Sequence, residues 1–118
     1  MSLHRMDPDT AETVAGVIRL LRRAADLVWA AADAEGAGSP RQLLALGIDL
    51  AADEARNLLP DASPVGGPVP AGDEPTGLLW SADRLLRRIA TPGAWTGLDG
   101  LRTRVADLLG EANSGAGA

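Results

Sequence analysis

The sequence predicts an all-α fold: a four-helix, mainly antiparallel bundle made of two helical hairpins joined by a Pro/Gly-rich crossover. Three observations predict it. Apolar residues recur every three or four positions in four separate segments. Capping residues and helix breakers stand where those segments begin and end. One stretch in mid-chain, residues 60–75, holds five prolines and three glycines, which no regular element tolerates. At 118 residues the chain suits a single domain, 1–118, with one modest core.

The first helix is expected over 8–35. Asp7 can cap it, and Pro8 fits the first helical position, where its missing N–H costs nothing. Val14, Ile18, Leu21, Ala25, Val28 and Ala32 form one stripe, and Gly36-Ala37-Gly38 ends it. The second helix, 40–59, opens on Ser39 and Pro40, with Gln42 completing a capping box. Its stripe is Leu44, Ile48, Ala51, Ala55 and Leu58, and Pro60 stops it. Residues 60–75 should form an extended, flexible crossover. The third helix, 76–90, follows Leu78, Ala82, Leu85 and Ile89 until Thr91-Pro92-Gly93. The fourth, 97–112, starts after Thr96, with Asp99 as its capping partner, and carries Leu98, Leu101, Val105, Leu108 and Ala112. Residues 113–118 read as a frayed tail of small residues. Arg19-Leu20-Leu21-Arg22-Arg23 recurs as Arg84-Leu85-Leu86-Arg87-Arg88, a faint echo between the two halves.

Composition narrows the function classes. All 11 basic residues are arginine, and Lys, Cys, Phe and Tyr are absent, the drift of a GC-rich coding sequence and hence of a high-GC bacterium. A net charge of −5 argues against nucleic acid as a partner, since phosphate binding needs a basic field. Without cysteine there are no disulfides, thiolate metal sites or thiol nucleophiles. The stretch from Met1 to Thr10 has no apolar signal core, and no apolar run suits a membrane span, so a cytoplasmic protein is expected.

Helix faces carry the functional expectation. On helix 1 the stripe is flanked by Val17, Leu20, Ala24, Leu27 and Ala31, so apolar residues cover roughly 200° where a surface helix needs about 100°. Leu43, Leu46 and Leu50 widen helix 2 in the same way. Helix 1, about 42 Å long, should also project past its shorter neighbours. A central helix 1, with the crossover covering helix 2, would absorb part of this excess. The sharper expectation is self-association, most simply as a homodimer, through Leu20, Leu27, Leu46 and Leu50. Trp80 lies roughly 170° from the centre of the helix 3 stripe, among Asp83, Arg84 and Arg87. Trp80, Arg84 and Arg87 are therefore expected to bind a protein partner. Trp29 belongs to the core edge, and Trp95 can plug one end of the bundle.

Other chemistry finds little footing. Trp95-Thr96-Gly97 is similar to the Trp-x-Gly turn of a family of small secreted helical-hairpin proteins. There the turn joins two long helices in mid-chain, whereas here it sits between two short ones near the C-terminus. Asp49 and Asp53 share a face at i, i+4 beside Glu54 and can in principle hold Mg²⁺. All-α nucleotide pyrophosphohydrolases use carboxylate sets of this general kind, but their ExxE pattern is missing. Arg22-Arg23, Arg87-Arg88 and Arg102-Arg104 can clamp an anion, although Asp26, Asp83 and Asp99 stand at ion-pair spacing from them. His4 has no triad around it. No cofactor, metal site or catalytic residue is expected. The reading is a non-enzymatic interaction, adaptor or regulatory protein. A small-molecule-binding bundle, and less favourably a metal-dependent phosphohydrolase, are the alternatives.

Overall fold

The computed structural model describes residues 8–59, 72, 74–89 and 96–117. Among these residues there are four α-helices and no strand: α1 Pro8–Glu35, α2 Pro40–Leu58, α3 Pro75–Arg88 and α4 Thr96–Gly117. Both prolines that open α1 and α2 stand where the sequence places them. α4 differs most from expectation, running to Gly117 across the residues read as a tail. No proline stands there, and Ala112 still packs into the core, while helical glycines only weaken a helix by about 1 kcal/mol each. Most of the crossover at 60–75 lies outside the described residues.

α1 packs on α2 along one side and on α3 along the other, and α4 completes the ring by packing on both α2 and α3. Diagonal pairs, α1 with α4 and α2 with α3, do not meet among the described residues. This ring explains the wide apolar arc of α1. Val14, Ile18, Leu21, Ala25 and Val28 are buried, and so are Val17 and Ala24 on the flanking line. Each large aliphatic side chain enclosed in this way contributes about 1.5–3 kcal/mol. The expected overhang of α1 carries little apolar surface. Burial runs from Val14 to Ala32, and the ends beyond present Asp9, Glu12, Asp33 and Glu35 to solvent.

The helix ends are closed by specific bonds. Gly36, at φ 96°, donates its N–H to the Ala32 carbonyl at 3.1 Å and stops α1 in the left-handed conformation that glycine tolerates. Ser39 Oγ accepts the Gln42 N–H at 3.2 Å. The Gln42 side chain accepts from Gly38 rather than from the cap residue itself, so the box closes one position early. α3 is capped from another helix. Arg102 of α4 donates through Nε and Nη2 to the Leu86 carbonyl, at 3.2 and 2.9 Å, and through Nη2 to the Ile89 carbonyl. A guanidinium there satisfies orphan carbonyls and faces the negative end of the helix dipole.

α2 and α4 come together through two glycines. A Cβ on Gly47 would lie 2.8 Å from Cδ2 of Leu108, and one on Gly97 would lie 2.7 Å from Cδ2 of Leu58. Each helix thus gives a leucine to a glycine on the other. The echo between halves has a structural counterpart as well. Leu21 and Leu86 are both fully buried, while Leu20 and Leu85 both sit half-buried at the core edge.

On α3 the buried residues are Leu78, Leu79, Ala82 and Leu86, so the inward arc is rotated toward Leu79 from the expected line through Leu85. That rotation takes Asp83 inside. It is the one buried charged residue among those described, and its carboxylate, 5% exposed, accepts Arg87 Nε at 2.9 Å. The pair was expected at the surface, and only the arginine end is there.

Two substitutions test this packing. Arg102→Met keeps the aliphatic stem but leaves the α3 carbonyls uncapped, and urea unfolding should show a loss of about 1–3 kcal/mol. Gly47→Val drives a branched side chain into Leu108 and should cost about 1–3 kcal/mol, read in the same way.

Candidate interaction surfaces

The four residues expected to carry self-association separate into two pairs. Leu20 and Leu27 on α1 are half-buried and pack against the core of their own chain. Leu46 and Leu50 stand on the outer face of α2, 46% and 54% exposed. α1 and α2 each have two helical neighbours in the ring, so the difference is one of angle: Leu20 and Leu27 lie at the core edge of α1, while Leu46 and Leu50 lie on the outer side of α2. Leu43, at 66% the most exposed large apolar residue among those described, continues the row. Leu43, Leu46 and Leu50 fall at i, i+3 and i+7, one line along the helix.

Beside this row runs an open groove of about 400 Å³ between α2 and α4. Leu43, Gly47 and Leu108 form its apolar part, and Gly100, Asp107 and Glu111 line the α4 side. Its floor exists because Gly47 has no side chain and lets Leu108 in. Arg104 also reaches the groove, where its guanidinium is paired with Glu54 of α2. The carboxylates of Asp107 and Glu111 therefore give the groove its acidic character.

The second surface lies on α3. Trp80 is 54% exposed, and Arg84, Arg87 and Arg88 are exposed along the same side. An indole in water leaves a large apolar area unburied, and Trp with Arg is the composition of interface anchors. Arg87 bends toward Asp83 yet remains 70% exposed. Since α2 and α3 occupy diagonal corners of the ring, their outer faces look away from each other.

The remaining candidates are engaged elsewhere. Trp29 packs at the core edge and donates its indole N–H to Asp49 Oδ2 at 2.8 Å, joining α1 to α2. Asp49 is thus a structural acceptor, a role the sequence reading gave to no partner. Among the described residues no group of three or more acidic or histidine side chains is arranged to hold a metal ion. Of the arginine pairs, Arg102 caps α3 and lies 3.7 Å from Asp99, and Arg104 is paired with Glu54. Arg41, not singled out from sequence, bridges to Glu35 at 3.1 Å across the turn between α1 and α2. His4 and Trp95 lie outside the described residues. No helix among these residues is long and apolar enough to cross a membrane. Compared with known proteins, the chain matches no family model, no curated protein and no solved structure.

Trp29→Phe removes the bond to Asp49 while preserving an aromatic ring. Thermal or urea unfolding should register a loss of about 1 kcal/mol, and Asp49→Asn, which keeps an acceptor, should lose less.

Proposed function

We propose that this protein is a non-enzymatic helical interaction module that associates with further copies of itself through the outer face of α2. The observation that carries the reading is the row Leu43, Leu46 and Leu50, three leucines in line and about half exposed or more. Scattered surface leucines need no explanation, but a continuous row beside a groove marks a contact surface. Leu20 and Leu27 take a supporting part in this reading, since the core of their own chain already holds them.

The reading takes the bundle as mainly antiparallel, with two hairpins joined by a Pro/Gly-rich crossover. Side-chain pairs support it. Between α2 and α4, Gly47 meets Leu108 while Leu58 meets Gly97, so one number rises as the other falls. Between α1 and α2, Trp29 pairs with Asp49 and Glu35 with Arg41, in the same reversed order. A cytoplasmic setting and a protein rather than nucleic-acid partner accord with the acidic composition. The alternatives draw less support. A hydrolytic centre on α2 would need Asp49, which Trp29 holds. Of the arginines offered for an anion site, Arg87 is paired with Asp83, Arg102 with the α3 carbonyls and Arg104 with Glu54.

Light scattering tests the proposal. The mass should exceed the 12.1 kDa of one chain at high concentration, and Leu43→Glu with Leu46→Glu should return it to one chain. Circular dichroism and urea unfolding of the monomeric variant should change by no more than about 0.5 kcal/mol, because neither leucine serves the core. A wild-type protein that stays monomeric at millimolar concentration overturns the reading. Mg²⁺ with nucleoside triphosphates should leave the melting temperature unmoved, whereas a rise would favour the hydrolase alternative.

A further inference from the structure

We infer that the partner of the α2 surface is α3 of another copy, so that association is head-to-tail rather than twofold. The inference rests on the proposal that α2 is the self-association face, and it names what sits there.

Charge decides between the two geometries. The groove beside the leucine row has Asp107 and Glu111 on its α4 side, and Asp53 is exposed on α2. A twofold contact would set these carboxylates against their own copies, and like charges facing each other oppose association. α3 offers the opposite sign. It has three arginines against one aspartate, and that aspartate, Asp83, is buried. The outer face of α3 is thus basic on a chain whose net charge is −5.

Shape and spacing agree with the charge. Trp80 stands on α3 54% exposed, and the groove is open at Gly100, where a Cβ would meet no neighbouring atom within 4 Å. Arg84 and Arg88 are four residues apart, as are Asp107 and Glu111. Each pair spans one helical turn, about 6 Å, so two arginines can face two carboxylates while the indole enters beside Leu43. A single contact then covers both the leucine row and Trp80, the large apolar side chains left exposed among the described residues. Because the two faces point away from each other, every added copy presents a fresh face, and the assembly grows as a ring or a filament instead of stopping at two.

Mixing two defective variants tests this. Leu46→Glu spoils the α2 face and leaves α3 intact, and Trp80→Glu does the reverse. Both positions are exposed, and circular dichroism should confirm that each variant stays folded. In sedimentation velocity, wild type should grow beyond two chains as concentration rises. Each variant alone should be monomeric, with association weakened more than about tenfold. Their equimolar mixture should form a complex of two chains, built from the one good face of each. Added salt should weaken association, because opposite charges are screened. Arg84→Glu with Arg88→Glu should also abolish growth, and adding Asp107→Arg with Glu111→Arg in the same chain should restore it.

Other outcomes overturn the inference in distinguishable ways. If Trp80→Glu associates as wild type does, or if salt strengthens a complex of fixed size, α3 is not the partner and a twofold α2 contact stands. If the variants are each monomeric and their mixture stays monomeric, the α2-to-α3 pairing is wrong. If wild type never associates, the proposed function falls together with it.

Discussion

α1 lies between α2 and α3, and this two-sided burial organises the rest of the molecule. A helix clad in apolar residues over half its circumference has to be covered along two lines, and Val17 and Ala24 are enclosed as fully as Ile18 and Leu21. Once α2 and α3 flank it, they stand apart, and α4 is left to close the gap between them. Each helix of the ring keeps an outer face, and among the described residues the exposed large apolar side chains lie on those of α2 and α3. A fold driven by the hydrophobic needs of its first helix thus decides which surfaces remain open for contact.

Local rules made much of this legible from sequence. Pro8, Ser39, Pro40 and Gly36 mark helix limits by steric and capping effects that act within a few residues. Trp80 was placed on the outside by angular spacing alone, and it stands there. What escaped were relations between elements. Nothing near Arg102 in sequence announces that its guanidinium closes α3, since the carbonyls it serves belong to Leu86 and Ile89. Gly47 drew no expectation from sequence and Gly97 was read only as part of a turn, and the facing leucines are what give both a purpose. The division of Leu20 and Leu27 from Leu46 and Leu50 likewise depends on how each helix is turned toward its two neighbours, which periodicity does not encode.

Asp83 shows how a small error in helix phase becomes a change in chemistry. The inward arc of α3 is centred nearer Leu79 and Leu86 than the expected line through Leu78 and Leu85. That modest rotation takes one carboxylate out of water and obliges Arg87 to accompany it. The outer face of α3 then keeps Arg84 and Arg88 exposed, while Arg87 answers the one aspartate of the helix. Selectivity for an acidic counterpart would arise from core packing as much as from the surface residues themselves.

The glycine–leucine contacts between α2 and α4 carry a consequence for how this protein can change. The hollow on the outer side of that seam and the tight fit on its inner side have one cause, a missing side chain at Gly47. Alanine there would favour the helical state by up to about 1 kcal/mol, yet it would crowd Leu108 and raise the floor of the hollow. Thermal robustness and the ability to receive a neighbour are set against each other at a single position. Selection for a sturdier bundle would tend to flatten the surface proposed for self-association.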